Sequence, residues 1–145
     1  CLGITTAPPH IYIPTATGEL TISANGSAEL TIDITNPTQE NLYITGFSIG
    51  GLECTFSNAI EVNANSQATL ELGLLVSNGI IYGTTGLSAS GGAEVLQGTT
   101  VNCVGYLLTP YMPTTLSGRL YLSNGGWVAL YVMVNAGTSA LIGMG

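Results

Sequence analysis

Between Leu20 and Ile34 apolar and polar side chains alternate. Leu20, Ile22 and Ala24 are separated by Thr21 and Ser23, and after Asn25-Gly26 the residues Ala28, Leu30, Ile32 and Ile34 alternate with Glu29, Thr31 and Asp33. A period of two places each set on one face of a strand. Asn-Gly tolerates the positive φ values of a tight type I′ turn. The stretch is therefore predicted to be a β-hairpin with one apolar and one polar face. The pattern returns from Ile60 to Leu74, at an offset of about 40 residues. Leu20 falls on Ile60, Ile22 on Val62, Asn25 on Asn65, Leu30 on Leu70 and Ile32 on Leu72. Two hairpins facing each other across a shared core are expected. A β-sandwich that reuses one hairpin pattern, without duplication, is the favoured account of the correspondence.

Further strands are predicted at Leu42 to Ile49 and Leu52 to Phe56, parted by Gly50-Gly51. Leu74-Leu75-Val76 leads to a turn at Asn78-Gly79, with Ile80 to Tyr82 returning. Gly83 to Gly98 lacks periodicity around Ser90-Gly91-Gly92 and reads as a surface loop. Thr99 to Leu108 is a strand carrying Cys103, closed by Pro110 and Pro113. Leu116 to Leu122 and Trp127 to Val134 form a last hairpin around Asn124-Gly125-Gly126. In its second strand Val128, Leu130, Val132 and Val134 point one way, and Trp127, Ala129, Tyr131 and Met133 the other. Two apolar faces predict a central strand covered on both sides.

No segment combines helical period with caps. The predicted class is all-β, a β-sandwich of Ig-like or jelly-roll-like type. Residues 1–17 stand apart. Pro8, Pro9 and Pro14 keep them out of a central strand, yet Ile4, Ile11 and Ile13 favour burial. They are read as an extended N-terminal arm before a domain at 18–145. Such an arm either packs along its own domain as an edge strand or fills a neighbour's groove.

Charge narrows the picture further. Charged residues are 6% of the chain, against about 25% in typical soluble domains. Arg119 is the only Lys or Arg, and the net charge is -7. Nucleic-acid binding, which needs clustered cations at the phosphates, is excluded on this basis. A mean hydropathy of +0.45 with so little charge leaves the exterior to Ser, Thr, Asn and Gly, or to other subunits or glycans. No apolar run reaches the length of a transmembrane helix. A chain that starts at Cys1 without a signal segment is expected to be a mature, secreted protein.

The cysteines are Cys1, Cys54 and Cys103, without a Cys-x-x-Cys motif or a His pair, so no zinc site is expected. Cys54 and Cys103 lie in strand-like stretches and are expected to pair. Cys1 is then left for an intersubunit disulfide, a lipid or a free thiol. The single histidine, His10, sits in the arm, and nothing local supports a Cys-His pair with Cys1, Cys54 or Cys103. Glu29 and Asp33 share a strand face; calcium ligation asks for more oxygens than they supply. Ser77-Asn78-Gly79 and Ser90-Gly91-Gly92 are turn sequences rather than phosphate cradles. No enzyme activity and no cofactor are expected. Asn25-Gly26-Ser27 is a glycosylation sequon at a predicted hairpin tip.

An apolar N-terminal arm, an all-β body, scarce charge and a Ser/Thr/Asn-rich surface together resemble subunits of archaeal surface filaments built by donor-strand complementation, of the thread and bundling-pilus type. The resemblance implies an extracellular, cell-surface homopolymer in which the arm of one subunit completes the sandwich of the next. It makes Ile4, Ile11 and Ile13 the donor-strand residues. Lysine-based isopeptide cross-links, used in some pili, are impossible in a chain without Lys. A monomeric surface adhesion domain and a capsid-like shell protein are the alternative readings.

Overall fold

The computed structural model describes residues 13–23 and 25–136. Its strands are β1 (Thr15–Ile22), β2 (Ala28–Asn36), β3 (Leu42–Ile49), β4 (Leu52–Val62), β5 (Ser66–Ser77), β6 (Ile80–Gly91), β7 (Ala93–Glu94), β8 (Val101–Gly105), β9 (Leu107–Leu108), β10 (Thr115–Leu122) and β11 (Trp127–Ala136). A single 3-10 turn occupies Thr109–Tyr111, and no α-helix occurs among the described residues. No helix there is long and apolar enough to cross a membrane. The protein is all-β.

All strands belong to one hydrogen-bonded sheet, in the order β7-β4-β3-β10-β11-β1-β2-β5-β6-β9, with β8 joining β7 along the outer edge of β4. The two layers of the expected sandwich are thus two halves of a continuous sheet that curls over a shared core. Strand alternation supplies that core. Leu20, Leu30, Ile32, Leu70, Leu72, Leu130 and Val132 are fully buried, while Glu29, Asp33 and Glu71 on the opposite face are exposed. Curling follows from strand twist and from ladder irregularities. The register shifts at Ile44/Gly46, at Tyr121/Leu122 and twice along β5–β6.

The first hairpin forms as expected, with Leu20 opposite Leu30 and Ile22 opposite Ala28. Its tip is wider than a two-residue type I′ turn. Ser23 N–H donates to Ser27 O at 2.9 Å, and Gly26 N–H donates to Ser23 O at 3.1 Å. Gly26 carries the positive φ, +87°, as in three-residue hairpin loops. No neighbouring atom lies within 4 Å of a Cβ built at Gly26. Gly26→Ala is therefore expected to cost about 1 kcal/mol, from backbone strain alone. Equilibrium denaturation checks this. The type I′ turn appears instead at Asn78-Gly79, with φ of 52° and 75°, where Ser77 pairs directly with Ile80.

The second expected hairpin does not form. β4 and β5 are both strands, but β4 pairs with β3 and β5 with β2. Between them the chain arches from one half of the sheet to the other. Asn65 takes a left-handed φ of 52°. The arch amides bond outside it: Asn65 N–H to Thr38 O, Ala64 N–H to Asn41 Oδ1 and Asn63 N–H to Gly92 O. The offset of about 40 residues thus joins a hairpin to an arch, and the repeat stays at the level of pattern.

Other boundaries also move. β1 starts at Thr15, immediately after Pro14, so Thr15, Ala16 and Thr17 belong to the body rather than to the arm. Ala16 is buried and pairs with Ile34 on β2 and, in parallel, with Leu130 on β11. The stretch expected to be a loop from Gly83 is mostly strand, since β6 runs to Gly91 along β5. Glycines and bulges had hidden its alternation. The strand expected from Thr99 to Leu108 is split into β8 and β9 at Gly105, whose φ is 81°.

Candidate functional site

The two margins of the curled sheet, β6 on one side and β7 with β8 on the other, approach each other. No ladder joins them. β6 pairs with β5 and, through Ile80 and Ile81 only, with β9; β8 pairs only with β4. The outer backbone of β6 from Tyr82 to Gly91 and that of β8 therefore face the same seam without strand partners among the described residues. Unpaired edges of this kind are templates for strand addition.

Side chains at the seam carry the same message. Leu87 stands opposite Leu72 and Ala89 opposite Leu70, so both point inward. Val101 stands opposite Phe56 and Cys103 opposite Cys54, so they point inward as well. Their partners are buried, yet Leu87, Ala89, Val101 and Cys103 are only half-buried. A groove of about 430 Å³ opens between β6 and the 93–99 segment, lined by Leu87, Ala89, Val95 and Leu96 and by the polar Ser88, Glu94, Gln97 and Thr99.

Cys54 and Cys103 form the expected disulfide, between directly opposed residues of β4 and β8 with a Cα–Cα distance of 4.0 Å. It fastens one wall of the seam. Cys1, Ile4, Ile11 and His10 lie outside the described residues. Ile13 is the first described residue and is 63% exposed. It sits at the lip of a second groove, of about 550 Å³, lined by Pro14, Ala16, Leu122, Trp127 and Tyr131.

That groove belongs to the outward face of β11, expected to be covered and found open. Trp127, Tyr131 and Met133 are 51%, 56% and 66% exposed. β11 is central in the sheet, but only its inward face, with Leu130 and Val132, is buried. Arg119, on the neighbouring β10, stacks its guanidinium 4.3 Å from the Trp127 ring centroid. β11 and β1 are the middle of the sheet whose ends meet at the seam. The outward face is continuous between β11 and the seam: Ala129, Arg119, Ser48, Glu53 and Val104 stand in one cross-strand row from β11 to β8.

Asn25 stands exposed on the hairpin loop. Its Oδ1 accepts from Ser23 Oγ at 2.6 Å, from Ser27 Oγ at 2.8 Å and from Ser27 N–H at 3.1 Å. Glu29 and Asp33 do share the outward face of β2, where Asp33 Oδ1 accepts from Thr69 Oγ1 at 2.8 Å. No group of three or more His, Cys, Asp and Glu is placed to hold a metal among the described residues. Asn36 was not singled out from the sequence. Its side chain is fully buried and bonds to the 38–40 turn and to the β4–β5 arch.

No known protein family matches the chain, and no curated protein matches it either.

Proposed function

We propose that the protein is a structural subunit of an extracellular, cell-surface filament assembled head to tail by donor-strand complementation. The arm of one copy, from Ile4 to Ile13, fills the seam of the next. The observation that carries this reading is the open seam: two unpaired strand edges over inward side chains that stay half-exposed. An added strand satisfies both the backbone groups and the apolar surface. The arm has the matching chemistry. Ile4 and Ile11 each contribute about 1.5 to 3 kcal/mol when fully buried, and Ile13 stands at the mouth of the joint. Prolines leave the arm extended and inexpensive to order. The twelve residues before Ile13 span up to about 40 Å when extended. Asn25, exposed on the β1–β2 loop, is the proposed glycan acceptor.

A monomeric surface adhesion domain is the second reading, and the exposed aromatic face of β11 favours it. The two readings separate in the full chain with Ile4→Asp and Ile11→Asp together. The described body is untouched by these changes. The expected outcome is loss of polymer in negative-stain microscopy and sedimentation, with circular dichroism unchanged. Filaments of normal length from this variant would refute the donor-strand reading.

A further inference from the structure

The dipeptide Asn-Gly occurs three times, at Asn25-Gly26, Asn78-Gly79 and Asn124-Gly125. The pair carries a chemistry of its own, because asparagine is thermolabile and glycine puts no side chain in the way. The glycine backbone nitrogen attacks the asparagine Cγ. A new N–Cγ bond closes a succinimide ring while the Cγ–Nδ2 bond breaks. Nδ2 leaves as ammonia, with the proton of the glycine N–H. Water then opens the ring at either carbonyl, giving aspartate or isoaspartate. All three asparagines are exposed, so water reaches each of them. What separates them is how firmly the fold holds the two reacting groups.

At Asn25 both groups are held. Gly26 N–H donates to Ser23 O, and Oδ1 of Asn25 accepts from Ser23 Oγ, Ser27 Oγ and Ser27 N–H. Asn124 has the same place in a loop of the same type. Leu122 N–H donates to Gly126 O at 2.9 Å and Gly125 N–H to Leu122 O at 3.1 Å, as Ser23 and Gly26 do in the first hairpin. There a single donor, Gly126 N–H at 2.8 Å, holds Oδ1. Asn78 differs from both. It stands in the two-residue turn between β5 and β6. Neither the Gly79 N–H nor the Asn78 carboxamide has a hydrogen-bond partner among the described residues. The turn is anchored instead through Gly79 O, which accepts from Thr109 N–H at 2.8 Å and from Thr109 Oγ1 at 2.9 Å.

We infer that Asn78 is the site of spontaneous deamidation in the folded protein, and that loop hydrogen bonds protect Asn124 and, more firmly, Asn25. Attack requires the glycine N–H to give up its proton and the carboxamide to turn over it. At positions 25 and 124 bonds must break before either happens. The place gives the reaction a consequence. β6, which starts right after this turn, is one wall of the seam. Isoaspartate carries the main chain through the former side-chain carbonyl. It therefore adds one methylene to a turn whose register sets Ser77 directly opposite Ile80, and it adds a carboxylate. The Gly79 carbonyl is then drawn away from the buried Thr109. The corner where β6, β9 and the 3-10 turn meet is loosened.

The test uses the full-length chain, produced without N-glycosylation so that Nδ2 of Asn25 carries no sugar. It is incubated folded and in denaturant, in mildly alkaline buffer. Aspartate and isoaspartate at the three positions are then mapped by mass spectrometry. In denaturant the three sites should react alike, since Ala or Ser precedes each pair. In the folded chain Asn78 is expected to react about tenfold faster than Asn124 and about 100-fold faster than Asn25. Ser23→Ala with Ser27→Ala removes the two hydroxyls and should bring Asn25 up to the rate of Asn124. Amide exchange at Thr109 should quicken in chains converted at position 78. First reaction at Asn25 or Asn124, or equal rates in the folded chain, overturns the inference. So does an Asn25 rate that falls in the serine variant, which would show that the hydroxyls activate the carbonyl rather than restrain it. Unchanged exchange at Thr109 after conversion removes the loosened corner.

Discussion

Removal of the Cys54–Cys103 bridge is expected to lower the stability of the body by about 4 kcal/mol in the chain-entropy account. The bridge spans a sequence separation of 49 residues, long enough that its loss returns much conformational freedom to the unfolded chain. For a chain of 145 residues that corresponds to a fall of about 10 °C in the melting midpoint. The effect is local as well as global. β8 pairs with β4 alone, and its inward residues Val101 and Cys103 are only half-buried. Without the disulfide, β8 is held to the sheet only by its ladder with β4. Cys54→Ala with Cys103→Ala should therefore speed amide exchange in β8 well before exchange at Leu70 or Leu72. Thermal denaturation and hydrogen exchange, each with and without reductant, check the two parts. An unchanged midpoint would contradict the first, and uniform exchange across the sheet the second.

Asn36→Ala is expected to cost about 3 kcal/mol. The Asn36 side chain is fully buried. Its Nδ2 donates to Glu40 O at 2.9 Å and to Asn63 O at 3.0 Å, and its Oδ1 accepts from Thr38 N–H at 3.1 Å and from Thr38 Oγ1 at 2.7 Å. The end of β2, the turn after it and the β4–β5 arch thus meet on one amide. Removing it takes this partner from the Glu40 and Asn63 carbonyls and from the Thr38 N–H at a part-buried junction. Asn36→Asp is the sharper probe. It keeps the volume and the acceptor but presents a carboxylate oxygen to the carbonyls of Glu40 and Asn63. It should destabilise more than alanine does. A milder effect for aspartate than for alanine in denaturant titration would show that packing, not hydrogen bonding, holds the junction.

The strands were legible where alternation was clean and the chain had one face in the core. Leu20 to Ile34 shows this: every second residue decides its own side, and the hairpin loop keeps the partners adjacent. Partnership between distant strands was not legible. Val62 and Ala68 sit on an alternating pattern that suits a hairpin and an arch equally, since alternation defines faces and not neighbours. What decides is the set of bonds made by Asn63, Ala64 and Asn65 to Gly92, Asn41 and Thr38, none of them near in sequence. β6 was obscured because Gly83, Gly86 and Gly91 interrupt its apolar positions, while its pairing with β5 supplies the hydrogen bonds that fix it.

The seam was less legible still. Leu87, Ala89, Val101 and Cys103 are ordinary core-type residues in the sequence. Their half-exposure depends on where the sheet ends meet, which is a property of the whole topology. The open face of β11 did leave a signal. A strand apolar on both sides was read as covered, and the physical statement in Trp127, Tyr131 and Met133 is that something outside the described residues should cover it. Arg119 could have sharpened that reading, as the single cation beside an aromatic hairpin.

The most direct test of the filament reading is a cryo-electron microscopy map of the assembled material, sharp enough to trace side chains. The expected map has an additional strand at the seam of every subunit, with β6 and β8 moved apart to admit it, bonded to the free edge of Tyr82–Gly91 or of Val101–Gly105 and continuous with β1 of the preceding copy. Ile11 would point inward against Leu87 and Val101. A seam left empty within the polymer, or filled by the arm of the same subunit, would contradict donor-strand assembly.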